Sequence, residues 1–188
     1  MPRITLIGYR GTGKSTVAAI VSQALEMPWR DADLVLENKL GCSIAQLIRD
    51  RGEDVFRDEE SAVLVELLAE CNSVLATGGG VVLRKCNRDM LSRQGRPTVW
   101  LNASAPVVRN RLSLDPTTSQ RRPALSGVDP LAEVTQALLD RAPLYHECAD
   151  FVVDTAESSA QQVADEIVAW LTTQWPAMVT NSLRDLTP

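Results

Sequence analysis

No stretch of this 188-residue chain approaches the roughly 18 consecutive apolar residues that a membrane span needs, and the N-terminus runs into Ile4 to Ile7 without a signal-peptide pattern. The sequence therefore predicts a cytoplasmic protein with no membrane partner. Cysteine is scarce and scattered. Cys42, Cys71, Cys86 and Cys148 form no CxxC pair, and His146 is the one histidine that could join them, which argues against a zinc site and for reduced, structural thiols. A surplus of positive charge is missing too: 19 Lys and Arg against 24 Asp and Glu leave a formal charge of -5, which disfavours general nucleic-acid affinity. Internal repeats and low-complexity segments are absent. What remains, 45% hydrophobic and 23% charged, is an ordinary globular composition with enough apolar material for one core.

Short apolar runs bounded by turn residues alternate with longer helix-like runs. Arg3 to Ile7, Ser73 to Thr77, Thr98 to Leu101 and Phe151 to Val153 suit buried parallel strands, and a brief strand near Trp29 to Asp31 completes the set. Ser15 to Glu26 and Asp54 to Glu70 read as helices, as does Ser159 to Thr173, with Ala160, Val163, Ile167, Trp170 and Leu171 on one face. Gly52 and Gly95 stand where helix C-caps belong, and Asp129-Pro130 reads as a cap and first helical position. The alternation predicts an α/β layer fold with helices on both faces of the sheet. Residues 1–174 are expected to form one domain, with a loosely held tail over residues 175–188. Leu114 to Val128, rich in Pro, Ser and Thr and carrying Arg121 and Arg122, reads either as a mobile lid over a ligand or as a solvated surface connection.

The strongest motif is Gly8-Tyr9-Arg10-Gly11-Thr12-Gly13-Lys14-Ser15, which satisfies GxxxxGK[ST] between an expected strand and an expected helix. Glycines let the backbone curl its N–H groups toward phosphate oxygens, and the positive end of the helix dipole adds to them. Lys14 is placed to reach the β- and γ-phosphates and the Ser15 hydroxyl to ligate Mg²⁺, so the ligand is Mg·ATP or Mg·GTP. Asp31 and Asp33 follow at the C-terminal end of the second strand, the edge that faces the ligand crevice in an open parallel sheet. Two apart on an extended segment, their carboxylates would point the same way, one to the Mg²⁺ hydration shell and the other to an acceptor hydroxyl; equally, Asp33 could cap the helix Leu34 to Leu40. Arg57 and Arg141 could each grip an anionic substrate or form a surface ion pair, and the pattern does not choose. The run Gly78-Gly79-Gly80, closing a strand, offers main-chain donors without side-chain bulk and is read as a substrate wall.

Taken in series, Gly8 to Ser15, Asp31-Ala32-Asp33, Phe56-Arg57 with Glu60, Thr77 to Gly80, Arg122-Pro123, and Arg141 with Pro143-Leu144-Tyr145 strongly resemble shikimate kinase over roughly residues 3–173. The resemblance implies a three-layer α/β/α P-loop kinase of the nucleoside monophosphate kinase type, with a five-stranded parallel sheet, a substrate region over about residues 31–60 and a lid over about residues 113–128. It implies transfer of the γ-phosphoryl group of ATP to the 3-hydroxyl of shikimate, with one Mg²⁺ ion, by a monomer. By motif match Asp33 is the proposed base, Lys14 and Arg122 act on the phosphates, and Gly11, Thr12, Gly13, Lys14, Ser15, Thr16 and Arg122 bind ATP. Asp33, Arg57, Gly79, Gly80 and Arg141 hold shikimate, and Ser15 with Asp31 holds the metal, Asp31 through water. The resemblance further implies an arginine within Arg109 to Gln120, and the turn Asp154 to Ser158, beside adenine. Another small P-loop kinase, such as a gluconate or nucleoside monophosphate kinase, would explain the P-loop but not Arg57, Gly78 to Gly80 and Arg141 as a set. A shikimate-kinase-like binding module without catalysis is the alternative from a different class.

Overall fold

In the computed structural model, which describes residues 4–70, 72–114 and 130–176, five parallel strands form one sheet in the order β2-β3-β1-β4-β5. The strands are β1 (Ile4–Ile7), β2 (Trp29–Asp31), β3 (Val74–Ala76), β4 (Thr98–Asn102) and β5 (Phe151–Asp154). Along β1, Ile4 and Leu6 face one layer and Ile7 the other; in β3 Val74 and Ala76 oppose Leu75, and in β4 Val99 and Leu101 oppose Trp100. Each central strand therefore buries both faces, which is why its sequence reads as an unbroken apolar run rather than an alternating one.

The first layer is built by α1 (Lys14–Ala24) and α8 (Ala160–Gln174), whose Val17, Val21, Val163, Ile167 and Leu171 pack on the first face. A capping box, Ser159 with Gln162, starts α8, and Phe151 stacks on Trp170 with ring centroids 4.7 Å apart. The opposite layer comprises α2 (Ala32–Leu40), α3 (Ile44–Arg51), α4 (Glu53–Ala69), α5 (Lys85–Gln94) and α7 (Pro130–Cys148). Leu36, Leu47, Phe56, Leu64, Leu91 and Tyr145 from these helices close the second core. Gly52 and Gly95 do terminate α3 and α5, and Pro130 opens α7.

A third, smaller cluster joins the loop after β1 to the two helices that follow β4: Tyr9 packs with Ala103, with Val108 of α6 (Ala105–Leu114) and with Val134 of α7. The chain from β1 crosses to β2 on one side of β1, whereas β4 lies on its other side, so the sheet's reversal of direction sits at the C-terminal end of β1. No described helix is long and apolar enough to cross a membrane. Of the expected lid over about residues 113–128, Ser113 and Leu114 end the helix Ala105–Leu114, and the rest, Arg121 and Arg122 among them, lies outside the described residues, as do Asp129 and residues 177–188. At Trp175, the first residue of the expected tail, the N–H donates to the Leu171 carbonyl at 2.8 Å and the ring packs on the first core under the Arg96 guanidinium. Its indole finds apolar surface at the end of α8, which a pattern ending at Thr173 does not foresee.

Candidate active site

The loop between β1 and α1 favours glycine at both ends, through a close contact at Gly8 and through backbone conformation at Gly13. Gly8 has φ of 142°, and a Cβ there would overlap the Leu101 carbonyl oxygen of β4. Gly13 adopts a left-handed conformation at the start of α1 and gives the helix no side-chain cap, so the first N–H groups are left for a ligand. The Thr12 hydroxyl donates to the Tyr9 carbonyl at 2.8 Å, and Lys14 Nζ donates to the carbonyls of Gly8 at 2.8 Å and Tyr9 at 2.9 Å. Lys14 is buried, folded along the loop whose anion it would meet, while Ser15 and Thr16 stand exposed on the first turn of α1.

Ser15 donates its hydroxyl to one carboxylate oxygen of Asp31, joining α1 to the end of β2. The other oxygen of Asp31 accepts from the N–H groups of Asp33 at 3.0 Å and Leu34 at 3.2 Å. Two expectations are corrected here. The cap of α2 is Asp31 rather than Asp33, and α2 starts at Ala32, so the two aspartates do not share an extended segment. Asp33 is half-buried in the first helical turn, its backbone fixed by the Asp31 carboxylate. A side chain that accepts two N–H groups at a helix start while facing a hydroxyl is consistent with both a capping and a metal-associated role.

Across the sheet reversal, β3 runs into Thr77 to Gly80, and this turn is keyed against the P-loop. Thr77 Oγ1 donates to the Leu6 carbonyl at 3.0 Å, and a Cβ on Gly79 would stand 2.8 Å from the Arg10 backbone nitrogen. The Gly79 carbonyl accepts from the Tyr145 hydroxyl at 2.6 Å and from Arg141 Nη1 at 3.2 Å. A Cβ on Gly80 would overlap the Arg57 guanidinium. The glycine run thus has the P-loop on one side and both arginines on the other.

Arg57 lies buried on α4, its Nη1 donating to Glu60 at 2.7 Å and its Nη2 to Glu53 at 2.9 Å, with its guanidinium 4.7 Å from the Phe56 ring centroid. Burial works against its charge, but the Glu60 and Glu53 carboxylates outweigh that cost and hold its pKa above the ordinary value. Arg141 sits half-buried on α7 over the Tyr9 ring at 5.2 Å. A cavity of about 560 Å³ opens beside it along α7, lined by Leu83, Ala137 and Asp140 among others, and includes neither Asp33 nor the P-loop.

The structure therefore brings Ser15 and Asp31 together beside Lys14, and gathers Gly79, Gly80, Arg57 and Arg141 around a turn that lies against the P-loop backbone at Arg10. Sequence reasoning missed Tyr145 as a second donor to Gly79, although it follows Arg141 by one helical turn, a spacing that sets both side chains on the same face of α7. Burial pushes its phenol pKa upward, so it remains a donor at physiological pH. Pattern alone does not place an arginine between Arg109 and Gln120. Arg111 of α6 donates to the hydroxyl of Thr155 at 3.0 Å and also to its carbonyl, which sets it on the turn after β5.

The family model for shikimate kinase matches residues 10–172 of the chain. Among curated proteins, the shikimate kinase of Rhodopirellula baltica is 39% identical over 163 residues, 87% of each chain. That of Oleidesulfovibrio alaskensis is 42% identical over 160 residues, 85% of this chain and 92% of the relative. A solved shikimate kinase from Acinetobacter baumannii, in complex with shikimate, superposes with a TM-score of 0.86 at 31% identity, covering 93% of this chain and 95% of its own. A gluconokinase from Sinorhizobium meliloti superposes at 0.56 with 17% identity over 96% of this chain and 97% of its own, a likeness of fold alone.

Proposed function

This chain belongs to the shikimate kinase family and catalyses ATP-dependent phosphorylation of shikimate, and from that premise we propose how its residues divide the work. The observation that carries the reading is the Gly78 to Gly80 turn, held between the P-loop backbone and two arginines, because it sets an acceptor wall directly against a phosphate loop. Shikimate is a small polyol with one carboxylate. It needs cations, a hydroxyl acceptor and close backbone donors, and Arg57, Arg141, Asp33, Gly79 and Gly80 offer those chemistries.

In this reading Asp33 accepts the proton of the 3-hydroxyl as that oxygen attacks the γ-phosphorus of ATP, and ADP leaves with the electrons of the broken bond. Lys14 turns from the Gly8 and Tyr9 carbonyls to the transferring phosphate, Gly11, Thr12, Gly13 and Thr16 hold the others, and Arg122 acts on the same charge. Ser15 and Asp31, a hydroxyl and a carboxylate already in contact, form the hard oxygen donor set that suits one hydrated Mg²⁺. That ion would neutralise charge developing between the β- and γ-phosphates. Arg111, braced on Thr155, is assigned to the adenine side. The protein acts as a cytoplasmic monomer.

The test is ADP release from Mg·ATP with shikimate, gluconate, AMP or no acceptor. Release that depends on shikimate alone is expected. Release with gluconate or AMP instead would keep the P-loop and overturn the acceptor site, whereas a folded, ATP-binding protein that releases none would be a binding module.

A further inference from the structure

The arginines around the acceptor wall differ in how far their charge is already cancelled. Arg57 is neutralised by Glu60 and Glu53, each within 2.9 Å or less. Arg141 is held by the Gly79 carbonyl, and among the described residues no carboxylate pairs with it. A third arginine is present, and none of the roles above uses it. Arg10, the third residue of the phosphate-loop motif, has its backbone nitrogen against Gly79, and its guanidinium lies 5.8 Å from the Tyr9 ring centroid, the ring that Arg141 also covers at 5.2 Å. Its Nε is buried without a hydrogen-bond partner, and no described carboxylate forms an ion pair with it.

Two guanidiniums that no described carboxylate pairs with, set about one buried tyrosine, repel each other, and an orphaned buried donor adds a desolvation cost. An arrangement of that kind is relieved when an anion enters. The triphosphate already has Lys14 and the helix terminus, whereas the Arg10 guanidinium shares the Tyr9 ring with Arg141, which donates to the Gly79 carbonyl of the acceptor's wall. We propose that Arg10 is an additional cation of the acceptor site and binds the carboxylate of shikimate together with Arg141, a role that rests on the shikimate kinase reading. Arg57, held by its own two carboxylates, shapes the site and contributes less net attraction.

The experiment compares wild type with Arg10→Met, which keeps an apolar stem against Tyr9 but removes the charge, and with Arg10→Lys. For each, KM is measured for shikimate, for its methyl ester and for ATP. In wild type the ester should bind worse than shikimate. In Arg10→Met the KM for shikimate should rise about tenfold, equivalent to about 1.4 kcal/mol. The ester's KM should change far less, so that the ester-to-acid ratio collapses, and Arg10→Lys should restore part of it. A merely structural loss would raise both KM values together and leave the ratio intact, which overturns the proposal. A rise confined to the KM for ATP overturns it as well, by assigning Arg10 to the nucleotide. Wild type that phosphorylates neither compound would bring down the kinase reading first and the inference with it, an outcome distinct from an active wild type with an unaltered ratio.

Discussion

Two adjacent glycines illustrate how single residues divide the site. A Cβ on Gly80 collides with the end of a side chain, Arg57, while a Cβ on Gly79 collides with the P-loop main chain at Arg10. A guanidinium can swing aside, though here only by leaving Glu60 and Glu53; a backbone shared with the phosphate loop cannot move without altering that loop. Gly80→Ala should therefore raise the KM for shikimate about tenfold, or 1.4 kcal/mol, and leave the KM for ATP within about twofold. Gly79→Ala should raise both. Steady-state kinetics of the two variants check this, and a Gly80→Ala enzyme impaired chiefly toward ATP would show that the wall has been assigned to the wrong substrate. The value of these glycines was legible because three in a row at the end of a strand serve little besides a tight turn or the close approach of another group. Which glycine faces which partner was not legible, since that depends on how β3 and α4 lie across the sheet, a tertiary fact without local signature.

At the scale of elements, Asp31 shows why a correct motif can carry a misread geometry. The sequence Asp31-Ala32-Asp33 reads as an extended end of β2, with Asp33 as the candidate cap; instead α2 begins at once, and Asp31 caps it while touching Ser15. Helix boundaries are the part of a pattern that periodicity constrains least, because Ala32 and Asp33 serve equally in a strand end or a first turn. The two duties of Asp31 can be separated. Asp31→Ala loses both and should cost about 1 kcal/mol of stability, a fall of roughly 2–4 °C in Tm for a chain of this size. Asp31→Ser keeps a capping oxygen and loses the carboxylate, so its Tm should stay close to that of wild type while its Mg²⁺ requirement rises and its turnover falls as in the alanine variant. Thermal unfolding beside a Mg²⁺ titration of activity decides it: recovery of full turnover by serine would reduce Asp31 to a cap.

For the whole molecule, the parallel order of strands was legible from alternation, because β-branched and leucine-rich runs separated by helices leave few alternative layer arrangements. The place of Trp175 was not, since it follows a helix pattern that ends and precedes residues without period. The structure gives Trp175 an anchoring role: its ring packs on the core beyond α8, under Arg96, which is itself paired with Asp150 at the entry to β5. Arg96 precedes β4, so this contact lies at the N-terminal edge of the sheet, opposite the C-terminal edge that carries the P-loop and the glycine turn. Distance across the sheet should uncouple it from chemistry. A chain ending at Pro176 is the reference. One ending at Gln174 should lose about 1–2 kcal/mol of stability through the lost apolar burial, and with it roughly 3–6 °C in Tm, while kcat and both KM values stay unchanged at a temperature where it is folded. Calorimetry with kinetics at about 25 °C separates the cases: equal melting of the two truncations would show that Trp175 anchors nothing, and a rise in either KM would show that the two edges of the sheet are coupled after all.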